Sequence, residues 1–409
     1  MTVPIILDTD PGVDDAVALM LAAASPEVDL LAITTVFGNV DLETTTANAL
    51  RLRALAGLGH VPVAAGAARP LVYPQAVRAA QWHATDGLGG RAGELPEPEG
   101  PVHARGAVAL MADLLRAAPA PVTLVPIGPL TNIALLLAAH PDVKPRIARI
   151  VAMGGALSGG NTTESAEFNI HCDPEAARRV LVEEDVPITL VPLDLTLRCA
   201  VDGAWLDALA AAGARCATLA RMIVHYRAQF GASSGRDDVP LHDSLAVLEA
   251  AVPGILRPAP LPLEVVCDHG PARGAVLADP TPGAGRLVDV ALGADLTERD
   301  IDSVGTAILN RLRTLVIARA PIHTLRPSTG PSPRRSTALA PDWTTPIRPI
   351  PYGHDHTAAM RYGRLRARVR YIPYGTDLSG STRPNSTPSH PNSMPHPARP
   401  STGERYRGT

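Results

Sequence analysis

The segment Ile5–Ala16, with the sequence IILDTDPGVDDA, leads from an apolar run into four aspartates that fall within eight residues. The apolar run predicts a buried strand, and the residues from Asp14 onward predict the first turn of a helix. Helix capping explains acids at Asp14 and Asp15, because the helix dipole favours negative charge there. It does not explain Asp8 and Asp10, since like charges repel at the end of a buried strand. A hard divalent cation would relieve this repulsion, and so many carboxylates favour Ca²⁺ over Mg²⁺.

Outward from this segment, short apolar runs alternate with longer stretches rich in Ala and Leu over the first 300 residues. The predicted strands are Pro4–Asp8, Leu30–Val36, Val61–Ala65, Val122–Ile127, Ile147–Met153 and Ile188–Leu193. The predicted helices are Asp14–Ala24, Leu42–Ala56, His103–Ala117, Thr131–Ala139, Pro174–Glu183 and Trp205–Ala212. The alternation predicts an α/β fold, with an open, mostly parallel, Rossmann-like sheet covered by helices on both faces. In such sheets ligands bind outside the carboxyl ends of the strands.

The pattern changes in the last third of the chain. Three short β runs broken by Gly and Pro predict a small added antiparallel piece: Leu263–Cys267, Gly274–Leu277 and Arg286–Ala291. Asp300–Leu315 predicts a closing helix. Residues 317–409 then hold fifteen prolines and fourteen arginines against four acids, whereas the preceding 316 residues carry a net charge of −13. Such a segment buries too little apolar surface to offset its ordering entropy, so we predict a folded domain over 1–316 and a disordered tail over 317–409.

Composition also excludes several classes of protein. The formal net charge of −3 gives no reason to expect nucleic acid or an anionic membrane as a partner. No run of 18 apolar residues is present, and the amino terminus has neither the basic nor the long apolar region of a signal peptide. The four cysteines contain no CxxC pair. We therefore expect a soluble cytoplasmic protein.

Further oxygen ligands for a cation should come from the ends of other strands. One candidate is the turn Pro126–Asn132, with the sequence PIGPLTN, and the other is the pair His242-Asp243, which opens a late helix. A His-Asp pair usually caps a helix or lies on the surface. Here it shares a chain with the acidic cluster, which favours a place in the same site.

Together these segments resemble the nucleoside hydrolases, the inosine-uridine preferring nucleoside N-ribohydrolase family. The stretch Asp8–Asp15 is similar to the amino-terminal signature of that family. The similarity continues, in the family's order and spacing, through Ile33–Asn39, Trp82–Gly89, Gly128–Asn132, Met153–Gly155, Asn161, Ala166–Asn169, Asp173–Ala176 and His242-Asp243. The resemblance covers residues 1 to about 316. It implies a calcium-dependent hydrolase of purine and pyrimidine salvage that splits ribonucleosides into free base and ribose, as a homodimer or homotetramer.

The resemblance also implies roles for individual residues. Asp10, Asp15, the backbone carbonyl of Ile127 and Asp243 would hold Ca²⁺, with Asp10 as the general base toward a water on the cation. Asp8 would orient these ligands from behind. Asn39 would support either Asp10 or the sugar from behind. The ribose would be contacted by a wider set of side chains: Asp14, Met153, Asn161, Glu167, Phe168 and Asn169.

The nucleobase would lie against two aromatic residues and two histidines. Tyr226 and Phe230 are four residues apart on a predicted helix, and the family commonly has Tyr near the second position. Either His83 or His242 could protonate the departing base, because the pKa of histidine lies near roughly 6.5. The chemistry fits these side chains, since carboxylates stabilise the positive charge that develops on the sugar when an N-glycosidic bond breaks. The preference between purines and pyrimidines stays open.

Two other functions are compatible with parts of the sequence. A haloacid-dehalogenase-like phosphatase also opens with an apolar strand and DxD, but it needs a cationic residue later in the chain, and the single lysine is Lys144 in a proline-flanked loop. A catalytically weak nucleoside- or ribose-binding protein would keep the sugar contacts. That alternative would be favoured if Asp10 were replaced, and Asp10 is present.

Overall fold

The computed structural model of the protein describes residues 2–74, 77–278 and 285–316. The strands are β1 (Val3–Thr9), β2 (Val28–Thr35), β3 (Val63–Ala65), β4 (Val122–Pro126), β5 (Ile147–Met153), β6 (Ile188–Val191), β7 (Ala200–Val201), β8 (Val239–Pro240), β9 (Ala259–Val265), β10 (Val276–Ala278) and β11 (Leu287–Val290). The helices are α1 (Val13–Ala24), α2 (Leu42–Ala56), α3 (Ala80–His83), α4 (Ala107–Ala117), α5 (Thr131–Ala139), α6 (Phe168–Cys172), α7 (Pro174–Arg178), α8 (Leu193–Thr196), α9 (Gly203–Ala210), α10 (Ala214–Ser234), α11 (His242–Ala251) and α12 (Glu298–Leu312). Short 3₁₀ segments cover Ala92–Glu94, Pro141–Arg146 and Arg313–Val316.

Nine of these strands form one sheet in the order β10-β9-β11-β6-β5-β4-β1-β2-β3. The strands from β6 through β3, and the pair β11 and β6, run parallel. Strands β9 and β10 pair antiparallel, and β9 also pairs antiparallel with β11. The prediction of a mostly parallel α/β sheet with a small antiparallel addition is therefore confirmed.

Strand β1 lies inside the sheet, and its apolar run packs against helices on both faces. Successive side chains of a strand point to opposite faces. Accordingly Ile5 and Leu7 belong to a core shared with α1, α2, α10 and α11, whereas Ile6 belongs to a second core shared with α4, α5 and α7. All three side chains are fully buried. A continuous apolar run is what a strand covered on both faces requires.

The boundaries of several predicted elements shift in the structure for local reasons. The predicted helix His103–Ala117 begins only at Ala107, because Gly106 adopts a φ of +46° that breaks the helix. The predicted helix Pro174–Glu183 is α-helical only to Arg178 and continues as a π-helical turn. Leu193, predicted at the end of a strand, instead begins α8. The predicted tail lies outside the described residues, and the division at residue 316 stays a prediction.

Among the described helices none is both long and apolar enough to cross a lipid bilayer.

Candidate active site

The acidic cluster lies at the carboxyl end of β1, where α1 begins. Asp14 and Asp15 occupy the first turn of α1, and Asp243 occupies the first turn of α11. The two helices pack against each other, and every residue of α11 is buried. This packing brings the beginning of α11 to the beginning of α1, although the two segments are far apart in the sequence.

Three carboxylates meet at this point. Each of Asp14, Asp15 and Asp243 offers an oxygen within 4.8 Å of the other two, and all three side chains are buried. Burial, followed by the charge of Asp15, raises the pKa of Asp14 to about 8. Burial and the charges of Asp14, Asp15 and Asp10 raise the pKa of Asp243 well above its usual value. A bound cation would reverse these shifts, because it favours the ionised carboxylates.

Asp10 lies beside this cluster and is almost fully buried. Its Oδ2 accepts the backbone N–H of Asn39 at 2.7 Å, whereas its Oδ1 has no hydrogen-bond partner among the described residues. A Cβ on Gly38 would overlap Oδ2, and a Cβ on Gly128 would overlap Oδ1. Burial and then the charge of Asp15 raise the pKa of Asp10 well above its usual value. An unpartnered buried carboxylate oxygen is costly, which fits an oxygen reserved for a cation or a water.

The carboxylates of Asp15 and Asp8 are held by hydrogen bonds from residues of β1, β2, α5 and the turn before α1. The Thr9 hydroxyl donates to Asp15 Oδ1 at 2.6 Å, and the Gly12 N–H donates to Oδ2 at 2.9 Å. Thr34 and Asn132 both donate to Asp8 Oδ1, at 2.5 and 2.8 Å. Burial raises the pKa of Asp8 to about 7. Asp8 therefore lies within the sheet and is not part of the cavity lining.

A cavity opens above the carboxylates and is lined by most of the predicted site residues: Asp14, Asp15, Asn39, His83, Ile127, Met153, Asn161, Glu167, Phe168, Asn169, Tyr226, His242 and Asp243. Phe230 is buried but is not in that lining, and the guanidinium of Arg236 lies 5.8 Å from the centre of its ring. The nucleobase contact predicted for Phe230 stays a prediction.

A second part of the cavity wall is formed by Glu167 and the first residues of α6. Glu167 accepts the backbone N–H groups of Gly155 at 2.8 Å, Asn169 at 2.9 Å and Ile170 at 3.1 Å. Burial nevertheless raises the pKa of Glu167 to about 7. The Asn169 side chain donates to the Ile127 carbonyl at 3.0 Å, so this carbonyl faces the cavity wall and retains a second lone pair.

Two histidines face the same cavity. The backbone N–H of Val13 donates to Nδ1 of His83 at 3.0 Å, so the neutral ring carries its proton on Nε2. The His83 ring stacks on Tyr226 with centroids 5.3 Å apart. Burial lowers the pKa of His83 to about 3 and that of His242 to about 4. Both rings are therefore neutral near pH 7, and each then carries one N–H.

Several residues that support the site were not assigned a role from the sequence. Thr9 orients Asp15, and Asn132 orients Asp8. Thr196 bonds His242. Gly38 and Gly128 leave room for the Asp10 carboxylate. Each lies at or just beyond the carboxyl end of a strand, which is the signal that could have found them.

Lys144 has no place in this site. It lies in the 3₁₀ turn before β5 and pairs with Glu184 and Asp185, which precede β6. The amino ends of parallel strands meet at the sheet edge opposite the cavity. This position argues against the phosphatase alternative, which needs a cation beside the DxD aspartates.

Comparison with known proteins gives concordant matches. Residues 5–300 match the family model described as inosine-uridine preferring nucleoside hydrolase. The chain is 42% identical over 249 residues to the pyrimidine-specific ribonucleoside hydrolase RihA of Salmonella arizonae, which covers 60% of this chain and 79% of the relative.

Two solved structures share the fold along nearly their whole length. A plant nucleoside hydrolase, PpNRh1, superposes with a TM-score of 0.70 at 30% identity, covering 76% of this chain and 99% of the other. The purine-preferring ribonucleoside hydrolase of Gardnerella vaginalis superposes with a TM-score of 0.69 at 31% identity, with the same coverage.

Proposed function

The chain belongs to the inosine-uridine preferring nucleoside hydrolase family, and from this premise we propose that it is a calcium-dependent enzyme that hydrolyses ribonucleosides to free base and ribose. The observation that carries the proposal is the convergence of Asp14, Asp15 and Asp243 beside the unpartnered Oδ1 of Asp10. Buried carboxylates at this spacing can ionise together only beside a positive partner. A cation and a ribosyl group that develops positive charge both meet that need.

The donor set fits a hard cation. Asp10, Asp15, Asp243 and the carbonyl of Ile127 offer only oxygen atoms, and Ca²⁺ accepts six to eight such ligands in flexible geometry. When bound, the ion would lower the pKa of a water and bind the ribose diol. Asp14 is adjacent to these ligands and is then available to accept a ribose hydroxyl.

Asp10 is the proposed general base. Its Oδ2 is occupied by the N–H of Asn39, so Oδ1 is the oxygen that takes the proton of the attacking water. The remaining hydroxide joins the anomeric carbon, and the electron pair of the broken bond stays with the nucleobase. The nucleobase then gains one proton, which balances the proton that the water gives to Asp10.

Glu167 is the proposed carboxylate beside the ribosyl group. Three backbone N–H groups favour its ionised form and hold the carboxylate in a fixed position at the cavity wall. A preorganised negative charge at this place stabilises an oxocarbenium-like transition state more than the neutral ground state. Asn161 and Asn169 line the same wall and would hydrogen-bond the ribose hydroxyls.

The departing base would lie between the two histidines and Tyr226. His83 presents Nε2–H because Val13 occupies Nδ1. Pyrimidine nucleosides are the substrates that we propose the enzyme prefers, because the curated relative named pyrimidine-specific is 42% identical, against 31% for the purine-preferring neighbour.

A substrate panel tests the function directly. Purified full-length protein is assayed for free ribose from uridine, cytidine, inosine, adenosine and guanosine. Each assay is run without chelator, with chelator, and with Ca²⁺ or Mg²⁺ added back after chelation. We expect uridine and cytidine to react fastest, the chelator to abolish turnover and Ca²⁺ to restore it better than Mg²⁺. Nucleoside binding without ribose release would support the binding-protein alternative, and full activity in chelator would contradict the role of the cation.

A further inference from the structure

Thr196 lies outside every motif discussed above, yet its side chain reaches the site. It is the last residue of α8, the short helix that directly follows β6, and it is fully buried. Its hydroxyl oxygen lies 2.7 Å from Nδ1 of His242, the first residue of α11. The contact therefore joins the end of one sheet strand to the helix that carries Asp243.

The surroundings favour one direction for this hydrogen bond. The Thr196 hydroxyl makes no other hydrogen bond with any described residue, so Nδ1 of His242 is the acceptor within its reach. A neutral imidazole whose Nδ1 accepts a hydrogen bond carries its own proton on Nε2. Nε2 of His242 has no partner among the described residues, and the ring lines the cavity.

We infer that Thr196 is a positioning residue, which holds His242 as the Nε2–H tautomer with that N–H directed at the departing nucleobase. The inference rests on the proposed function, because it assumes that a base leaves beside His242. As the glycosidic electron pair moves onto the base, the Nε2–H hydrogen bond strengthens and stabilises the developing negative charge. Without the hydroxyl, the ring can rotate or place its proton on Nδ1, and Nε2 then becomes an acceptor that repels the leaving group.

Matched substitutions at Thr196 test this role. Thr196→Val keeps the shape and removes the hydroxyl, whereas Thr196→Ser keeps the hydroxyl. The kcat/KM of each is measured on the ribonucleoside that reacts fastest and on 4-nitrophenyl β-ribofuranoside, whose leaving group departs without a hydrogen-bond donor. We expect Thr196→Val to lose roughly 10- to 100-fold on the nucleoside and under about threefold on the nitrophenyl riboside, with Thr196→Ser close to the wild type on both. Equal losses of Thr196→Val on both substrates, or no loss on the nucleoside, would overturn the inference.

His242→Ala separates this inference from the proposed function. If His242→Ala loses the same factor on both substrates, the leaving-group role of His242 is wrong whatever Thr196 does. If His242→Ala is selective and Thr196→Val is not, only the role of Thr196 is wrong. Because Thr196 acts through His242, the double variant should be no slower on the nucleoside than His242→Ala alone.

The tautomer of His242 can also be measured directly, without relying on turnover. Ring nitrogen NMR of ¹⁵N-histidine-labelled protein, with His242 assigned from the His242→Ala spectrum, identifies the protonated nitrogen. We expect the proton on Nε2 in the wild type and in Thr196→Ser, and a mixture of tautomers in Thr196→Val. A wild-type ring protonated on Nδ1 would overturn the inference even if the kinetics changed as expected.

Discussion

At the scale of single residues, the site is a set of buried carboxylates whose hydrogen bonds leave specific oxygens available. Asp10 shows this most clearly, since Asn39 occupies one oxygen and the other has no partner among the described residues. Asp15 differs, because Thr9 and Gly12 occupy both of its oxygens. The difference supports the proposal that Asp10 is the base, and it shows that the Asp15 carboxylate is held in place.

Asp10→Asn should therefore keep the fold and lose several orders of magnitude in turnover, because the amide cannot accept a proton from water. The measurement is kcat on the preferred nucleoside, with circular dichroism as a check on folding. Asp29→Asn, an exposed aspartate of β2, is the matched control and should react like the wild type. Wild-type turnover in Asp10→Asn would refute the assigned base.

The raised carboxylate pKa values make a further prediction at this scale. Asp8 and Asp14 have folded pKa values of about 7 and about 8, above their unfolded value near 3.8. A carboxyl group whose pKa is raised in this way stabilises the fold below its unfolded pKa. That stability is lost as the pH rises through the folded pKa. The buried histidines act in the opposite direction, but only below their unfolded pKa of 6.5.

Metal-free protein should therefore lose thermal stability between pH 6.5 and pH 8.5. A cation that binds the ionised carboxylates should offset that loss, so the rise in Tm on adding Ca²⁺ should be larger at pH 8.5 than at pH 6.5. Differential scanning fluorimetry in chelator and in Ca²⁺ measures the loss of Tm with pH and the rise in Tm that Ca²⁺ causes. A Ca²⁺ effect that is equal at the two pH values would contradict the link between the carboxylates and the ion.

At the scale of elements, the parallel sheet explains why two glycine-containing loops enclose Asp10. Strand β1 pairs with β2 on one side and β4 on the other. The loops after β2 and β4 therefore flank the residue that follows β1, and they approach it closely only because Gly38 and Gly128 lack a side chain. Neighbouring strand ends thus fix the Asp10 carboxylate from both sides.

Gly38→Ala should displace the Asp10 carboxylate, since the new Cβ would overlap Oδ2. We expect turnover to fall by more than about tenfold, with a loss of about 1–3 kcal/mol in stability from overpacking. Gly93→Ala is the matched control, because a Cβ there has no atom within 4 Å. The turnover and the thermal unfolding of the two variants are measured side by side. If Gly38→Ala had the turnover and stability of Gly93→Ala, the loop would adapt without moving Asp10.

At the scale of the whole molecule, the described structure ends at residue 316 and the family match ends at residue 300. Every residue of the site precedes both limits. A chain shortened after Val316 should therefore keep the kcat/KM of the full-length enzyme and the same Tm within a few degrees. Assays of the two proteins in parallel test this, and a shortened chain that is insoluble or inactive would show that residues 317–409 contribute to the fold.

Much of this molecule could be predicted from its sequence. Apolar runs covered on both faces predict parallel strands, and β5, α2 and α5 have the predicted bounds. The aspartates after β1 indicate the proposed cation site, because their repulsion is a property of the residues themselves. The motifs between Asp8 and Asp243 identified the family.

Tertiary structure alone decided which groups meet. The packing of α11 on α1 brings Asp243 within reach of Asp14 and Asp15. The groups that hydrogen-bond Nδ1 of the two histidines, the Val13 N–H and the Thr196 hydroxyl, come from segments far away in the sequence. Local patterns reflect the burial and periodicity of one segment, whereas a hydrogen bond between distant segments depends on helix packing to within a fraction of an ångström.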